Sequence, residues 1–109
     1  MLKKEYRLKK KSEFEEVRLK GVVIQSPAFG LAYLKKDDAE KKFGMIVSKR
    51  ISVRAVDRNR IRRMLSVAIK KSWDGVQPGT RGVVLAKKIL LTAKAQEVER
   101  EMEKVISNM

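Results

Sequence analysis

Apolar residues recur along this chain with two different periods. Over residues 61–69 they step by three and four positions, and similar spacing returns over residues 95–106. Such spacing places apolar side chains on one face of an α-helix. Over residues 29–34, in contrast, large and small residues alternate with a period of two, which is typical of a β-strand. The pattern therefore predicts a chain that mixes helices and strands.

Local signals divide the chain into seven predicted elements. Ser12 and Glu15 have the spacing of a capping box, which favours a short helix that begins there. Ser52 or Asp57 is a candidate N-cap for the long helix, and Thr92 is a candidate N-cap for the last one. The predicted elements are a helix over residues 12–20, strands over 22–25, 29–34 and 43–48, a helix that ends near 72–75, a strand over 82–86 and a helix after 92.

The predicted order α-β-β-β-α-β-α indicates an α+β fold, a two-layer sandwich of one four-stranded sheet with helices packed on it. The first three strands are predicted to form an antiparallel meander. Residues 43–48 are nearly all apolar, so this strand is predicted to lie at the centre of the sheet. With 109 residues and no linker-like segment, residues 1–109 are predicted to form a single domain.

Positive charge is concentrated on the long predicted helix and the loop before it. The chain has 27 Lys and Arg against 13 Asp and Glu, a net charge of +14, and residues 49–71 hold nine of these cations with Asp57 as their one acid. A merely solvated helix usually interleaves acids with bases at a spacing of four, and this helix does not. Because the guanidinium group of arginine suits phosphate recognition, the stretch favours a nucleic-acid partner over a solvated surface.

The composition also argues against several classes of protein. The chain has no Cys and no His, its acids are scattered, and it lacks a phosphate-binding Gly-rich loop, which together argue against a stand-alone enzyme and a metal site. No apolar run approaches the roughly 20 residues that a membrane span needs, and the N-terminus has no signal-peptide pattern. We therefore expect a cytoplasmic protein with no membrane and no small-molecule substrate.

Aromatic residues offer a second kind of nucleic-acid contact. Phe14, Phe29 and Tyr33 could stack on unpaired bases, as aromatic side chains do in RNA-binding modules. The alternative for each of them is packing in the core. The basic segment 1–11 is open in the same way between a solvated arm and a phosphate contact.

Three segments resemble the protein subunit of bacterial ribonuclease P. Val47-Ser48-Lys49-Arg50 followed by Ala55-Val56-Asp57-Arg58-Asn59-Arg60-Ile61-Arg62-Arg63 is similar to the signature of that family. Arg7-Leu8-Lys9-Lys10 with Phe14 and Gly21 resembles its N-terminal block, and Ala86-Lys87-Lys88 resembles its late strand. The resemblance covers nearly the whole chain.

The resemblance implies both a fold and a function. The family fold is similar to a small-subunit ribosomal protein domain, with a left-handed β-α-β crossover through the basic helix. Family members bind a catalytic RNA that removes the 5′ leader from precursor tRNA, and that RNA carries the active site with its Mg²⁺. The protein holds the single-stranded leader, is expected to bind no cofactor alone, and is expected to be a monomer in a 1:1 complex with the RNA.

The resemblance also implies two sets of site residues and no catalytic residue in the protein. The residues expected to face the catalytic RNA are Lys49, Arg50, Arg54, Arg58, Asn59, Arg60, Arg62 and Arg63. The residues expected to line the leader cleft are Phe14, Val17, Arg18, Phe29, Leu31, Tyr33, Lys10 and Lys87.

Three alternatives remain open from the residues themselves. A ribosome-associated rRNA-binding protein without a processing role has the same composition. A helix-in-groove DNA binder needs base-reading side chains and usually a dimer, for which the sequence gives no pattern. A protein-only nuclease would need a carboxylate pair such as Glu13 and Glu16 on one helix face, where solvated surface is the simpler interpretation.

Overall fold

The computed structural model describes residues 2–109 and contains the seven predicted elements in the predicted order. Three short 3₁₀ turns, Lys4–Tyr6, Trp73–Gly75 and Lys88–Leu91, lie between or before them. No helix in this part of the chain combines the length and apolar character needed to cross a bilayer. The elements are α1 (Lys11–Lys20), β1 (Val22–Gln25), β2 (Phe29–Lys35), β3 (Lys42–Ile46), α2 (Ala55–Lys71), β4 (Thr80–Ala86) and α3 (Ala95–Ser107).

The four strands form one sheet in the order β1-β2-β4-β3. β2 pairs antiparallel with both β1 and β4, whereas β3 pairs parallel with β4. The predicted meander is therefore wrong in its third strand, because β4 lies between β2 and β3. Since β3 and β4 are parallel neighbours joined through α2, the connection is a β-α-β crossover, and the α+β class is confirmed.

β3 lies at an edge of the sheet, which corrects its predicted central position. Its apolar composition has another cause. Phe43 is fully buried beneath the helices, and the segment before α1 covers the outer edge of the strand. There the Leu8 amide donates to the Phe43 carbonyl at 3.1 Å. The segment before α1 thus protects the free edge of β3, in place of a second neighbouring strand.

One face of the sheet packs against α2 and α3 and forms the main core. Phe29, Leu31 and Phe43 point from the strands into this layer, and Leu65 of α2 and Met102 of α3 meet them, all with no exposed surface. The periodic apolar residues of both helices were predicted to face the sheet, and this is confirmed. Each such side chain contributes about 1.5–3 kcal/mol of transfer free energy.

Within residues 2–109, the opposite face of the sheet carries one helix, α1, together with Leu8 of the segment before it. Val17 packs on Ala32 and Val83 in a smaller apolar cluster. Beyond it, toward the carboxyl ends of β3 and β4, Ile46 and Leu85 are only partly buried. The two-layer core thus has one additional helix on its outer face, and that helix leaves one end of the face open.

The N-cap of α1 lies two residues before the predicted one, Ser12. Lys10 is the N-cap residue, and the Glu13 carboxylate accepts a hydrogen bond from the Lys10 amide at 3.1 Å. The capping interaction therefore uses a pair with the same spacing of three, shifted along the chain.

The starts of α2 and α3 also differ from their predicted caps. α2 follows Arg54, and Ser52 supports this start from outside the helix. The Ser52 hydroxyl accepts from the Arg54 amide at 3.1 Å and donates to Asp57 at 2.8 Å. Thr92 precedes α3 by three residues, and its hydroxyl donates to the Ile89 carbonyl of the preceding turn.

Candidate nucleic-acid interface

The basic surface consists of the β3–α2 loop and the outward side of the first half of α2. Because α2 buries its apolar stripe against the sheet, its charged positions face solvent. The structure brings together all eight residues predicted to face the catalytic RNA, and each is exposed or partly exposed. They are Lys49, Arg50, Arg54, Arg58, Asn59, Arg60, Arg62 and Arg63.

Three arginines of the basic surface also donate hydrogen bonds within the protein. The Arg58 guanidinium donates to the Ser52 carbonyl at 2.9 Å, which ties α2 to its preceding loop. The Arg62 guanidinium donates to the Asn59 side-chain oxygen at 3.2 Å. Arg60 donates across to the Lys88–Leu91 turn. These arginines are partly oriented before any partner binds.

The remaining cations of the basic surface are available to a ligand. Within residues 2–109, Lys49, Arg50 and Arg63 have no side-chain hydrogen bond or ion pair, and Arg54 has only a 3.9 Å contact with an acid. Unpaired guanidinium and ammonium groups keep their full charge for phosphate oxygens. Val53, to which the sequence analysis assigned no role, lies beside Arg54 in this loop, and its side chain is 82% exposed.

A groove lies between α1 and the edge of the sheet, and we call it the α1 groove. It encloses about 390 Å³ and combines one aromatic ring with three cations and one acid. The Phe14 ring rests on Gly44 of β3, where an added Cβ would clash with it, so the absence of a side chain at Gly44 makes room for the ring. The groove is lined by Lys9, Lys11, Phe14, Glu15, Arg18 and Ile46.

Four residues predicted for the leader cleft lie on α1 or at its start. Phe14 and Arg18 line the α1 groove. Val17 is 1% exposed and supports α1 from beneath, so it cannot contact a ligand directly. Lys10 is exposed at the start of α1, in a neighbouring depression shared with Lys36 and Lys42.

The prediction is corrected for Phe29 and Leu31, and Tyr33, the third cleft residue taken from β2, lies outside the α1 groove. Phe29 and Leu31 have no exposed surface and point into the main core, away from α1. Tyr33 shares their face of β2 and is partly exposed there. Because adjacent strand residues point to opposite faces, the residue on the α1 face at this level of β2 is Ala32. None of the three aromatic or aliphatic side chains lines the groove.

Lys87 follows β4 and is also outside the α1 groove lining. Its ammonium group donates to the Ser26 carbonyl at 2.6 Å, which connects the end of β4 to the β1–β2 turn. Four lining residues were not in the predicted cleft set, namely Lys9, Lys11, Glu15 and Ile46, although segment 1–11 had been left open as a phosphate contact. Alternation along β3 could have found Ile46, because it faces opposite to Phe43 and Met45.

Ion pairs hold the closed end of the α1 face. Lys36 lies 2.8 Å from Glu16, and its hydrogen bond and charge lower the pKa of the Glu16 carboxyl. The nearly buried Arg81 guanidinium lies 2.6 Å from Asp38, and its hydrogen bond lowers the pKa of Asp38 below the usual range. These contacts fix α1 and the β2–β3 loop, whereas among residues 2–109 no side chain that lines the groove forms an ion pair.

Within residues 2–109, no three side chains of the Asp, Glu, His or Cys type come close enough together to hold a metal ion. Buried polar side chains in the same range all have partners. The described residues therefore form two cationic surfaces suited to binding polyanions.

Comparison with known proteins identifies the family. The sequence model of the Ribonuclease P family matches residues 2–109. Ribonuclease P protein components from Nitratiruptor sp. and Bacillus cereus are each 34% identical over 102 residues, covering 94% and 93% of this chain and 90% and 88% of theirs.

Solved structures agree in fold. The ribonuclease P protein of Staphylococcus aureus superposes with a TM-score of 0.84 at 23% identity, covering 96% of this chain and 95% of its own. The ribonuclease P protein of Thermotoga maritima superposes with a TM-score of 0.85 at 18% identity, covering 94% of this chain and 96% of its own. The family match over residues 2–109, with relatives above 30% identity over most of both chains, shows that this chain belongs to the ribonuclease P protein component family.

Proposed function

We propose that this chain is the protein subunit of a ribonuclease P ribonucleoprotein and that it holds two RNAs, the catalytic RNA and the 5′ leader of precursor tRNA. One observation carries the proposal. The α1 groove and the basic surface meet at the carboxyl end of β3, where Ile46 lines the groove and Lys49 follows three residues later. Three residues span at most about 11 Å, so two bound RNAs would lie side by side.

The basic surface is assigned to the catalytic RNA. Folded RNA presents closely spaced phosphates, and the unpaired cations Lys49, Arg50 and Arg63 can neutralise them without first breaking an ion pair in the protein. If six to ten phosphates are contacted, the affinity should fall by about 10³–10⁵ between 50 and 200 mM salt.

The α1 groove is assigned to the single-stranded leader. A partly exposed ring such as Phe14 can stack on an unpaired base, and each such contact is worth about 1–3 kcal/mol. The cations Lys9, Lys11 and Arg18 surround the ring at positions where they can contact the flanking phosphates. Stacking and phosphate contacts tolerate any base, which suits leaders that differ in sequence.

Catalysis is assigned to the RNA with its Mg²⁺, and the protein is assigned to binding and orientation. The scattered carboxylates support this division, because within residues 2–109 no three acidic side chains lie close enough together to hold a metal ion. We further propose a 1:1 complex of one protein with one RNA, acting in the cytoplasm on precursor tRNA.

Reconstitution tests the proposal. The purified chain is mixed with a bacterial ribonuclease P RNA and precursor tRNA at low Mg²⁺, and the products are mapped. We expect faster cleavage at the mature 5′ end than with RNA alone, and no cleavage by protein alone. If the RNA is competent at high Mg²⁺ but the protein gives no acceleration with its cognate RNA, the assignment fails and the ribosome-associated alternative gains support.

A further inference from the structure

We propose that Arg60 acts on RNA binding as a positioning residue, which holds the Lys88–Leu91 turn against α2 so that Lys88 becomes part of the basic surface. The inference rests on the proposed function, since it concerns the surface assigned to the catalytic RNA. It gives Arg60 a different role from the neighbouring arginines, although the sequence motif does not distinguish them.

The geometry of Arg60 is that of a brace between two elements. Its Nη2 donates to the Leu91 carbonyl at 2.6 Å and lies 3.4 Å from the Leu90 carbonyl. The last carbonyls of a helical turn have no partner within the turn and need an outside donor. An arginine side chain is well suited to this position, since such cations also interact favourably with the carbonyl end.

Arg63, one turn further along α2, is used differently. It is exposed and has no side-chain partner within residues 2–109, whereas Arg60 is partly buried and engaged. The same residue type on the same helix thus has two states before RNA arrives. Arg63 can give its whole guanidinium to a phosphate, but Arg60 would have to release the turn to do so.

The turn that Arg60 holds carries its own cation. Eight residues separate β4 from α3. This segment is connected to the helices by the buried side chain of Leu90 and by the hydrogen bonds that its carbonyls accept from Arg60. Lys88 is exposed on this turn and has no side-chain partner in the described part of the chain. The brace therefore fixes where a further positive charge stands relative to α2.

A double-mutant cycle tests this coupling. Affinity for the ribonuclease P RNA is measured over a salt series with the full chain carrying Arg60→Ala, Lys88→Ala or both. We expect each single change to lower the affinity about tenfold and to reduce the salt slope by about 0.9, the value for one phosphate contact. The double variant should be no weaker than Arg60→Ala alone, since the two changes remove one contact.

A matched cycle with Arg63→Ala and Lys88→Ala provides the control. There the two losses should multiply and the salt slope should fall by about two contacts. If Arg60→Ala does not fold, Arg60→Met retains the aliphatic stem and removes the donors, and it takes the same place in the cycle.

Two results would overturn the inference. Multiplicative losses in the Arg60 cycle would mean that Arg60 contacts phosphate itself. Unchanged RNA affinity of a folded Arg60 variant, with only its unfolding free energy lowered, would mean that the brace serves stability alone. If the unmodified chain does not bind the RNA, the proposed function fails, and this inference fails with it. That outcome is seen with the unmodified chain and needs no variant.

Discussion

The two faces of the sheet differ in how they are covered. One face is closed by α2 and α3, and its central side chains, among them Phe29 and Leu65, have no exposed surface. The other face carries α1 and Leu8 of the segment before it, and α1 is anchored by Val17 and by an ion pair between Lys36 and Glu16 at one end. The end beside Phe14 is open.

This difference separates stability from binding within a single sheet. Since successive strand residues point to opposite faces, a strand directs one set of residues into the closed core and the other set to the α1 face, where Ile46 of β3 lines the open groove. A substitution on the first face should act mainly on folding. A substitution at the open end of the second face should act mainly on the bound leader.

The largest effect is expected on the closed face. Leu65→Ala removes a fully buried side chain between α2 and the sheet and should lower the free energy of unfolding by about 2–5 kcal/mol. Denaturant titration followed by circular dichroism measures this. The control Leu19→Ala removes a leucine that is 85% exposed and should change the value by less than about 0.5 kcal/mol. Equal effects would contradict the described core.

The next effect is expected at the open end of the other face. Phe14→Ala removes the ring of the α1 groove and should weaken binding of precursor tRNA by about 1–3 kcal/mol, while mature tRNA, which lacks a leader, is unaffected. The assembled ribonucleoprotein is titrated with both tRNAs. Phe14→Tyr keeps a stacking ring and should retain most of the preference. A parallel loss for both tRNAs would place the leader elsewhere.

A smaller effect on the same groove is expected from Gly44 of β3, on which the Phe14 ring rests. In Gly44→Ala the new methyl group meets the outer atoms of the Phe14 ring, so the ring must turn away. The variant should lose part of the preference for precursor tRNA. Combined with Phe14→Ala, the same change should have no further effect on that preference, because the ring it displaces is already absent. An additional loss in the double variant would mean that Gly44 acts independently of Phe14.

Much of the fold could be predicted from the sequence because its signals are local. The periodic apolar residues of α2, such as Ile61 and Leu65, determine both the helix and its buried face. The strand order could not be predicted in the same way. An apolar strand such as β3 has the same composition whether neighbouring strands surround it or a terminal segment covers its edge, as Leu8 does here.

The candidate site was predictable in part for the same reason. Cations on one helix, from Arg54 to Arg63, come together because the helix itself arranges them. The groove depends on which face of β2 meets α1, and a one-residue difference in register exchanges Leu31 for Ala32. Phe29 and Leu31 on β2 therefore pack in the core, while the ring that lines the groove is Phe14 of α1.

The smallest effect concerns the polar contacts that hold the closed end of the α1 face. The Arg81 guanidinium lowers the pKa of Asp38 from its ordinary value of 3.8, so the pair stabilises the folded state above that pH and loses its contribution as the pH falls through the lowered pKa. Asp38→Asn should therefore reduce the dependence of unfolding free energy on pH below about 4, with a modest loss of stability at neutral pH.

Hydrogen exchange can locate this effect on one face. On acidification, amides of α1 and of the β2–β3 loop should lose protection before amides of α2, because carboxylate ion pairs anchor the α1 face, whereas α2 is held by apolar packing. Asp37→Asn is the matched control, since Asp37 has no ion pair or hydrogen bond among the described side chains. Simultaneous loss of protection on both faces would mean that the two faces unfold as one unit, and that their different coverage affects binding without dividing stability.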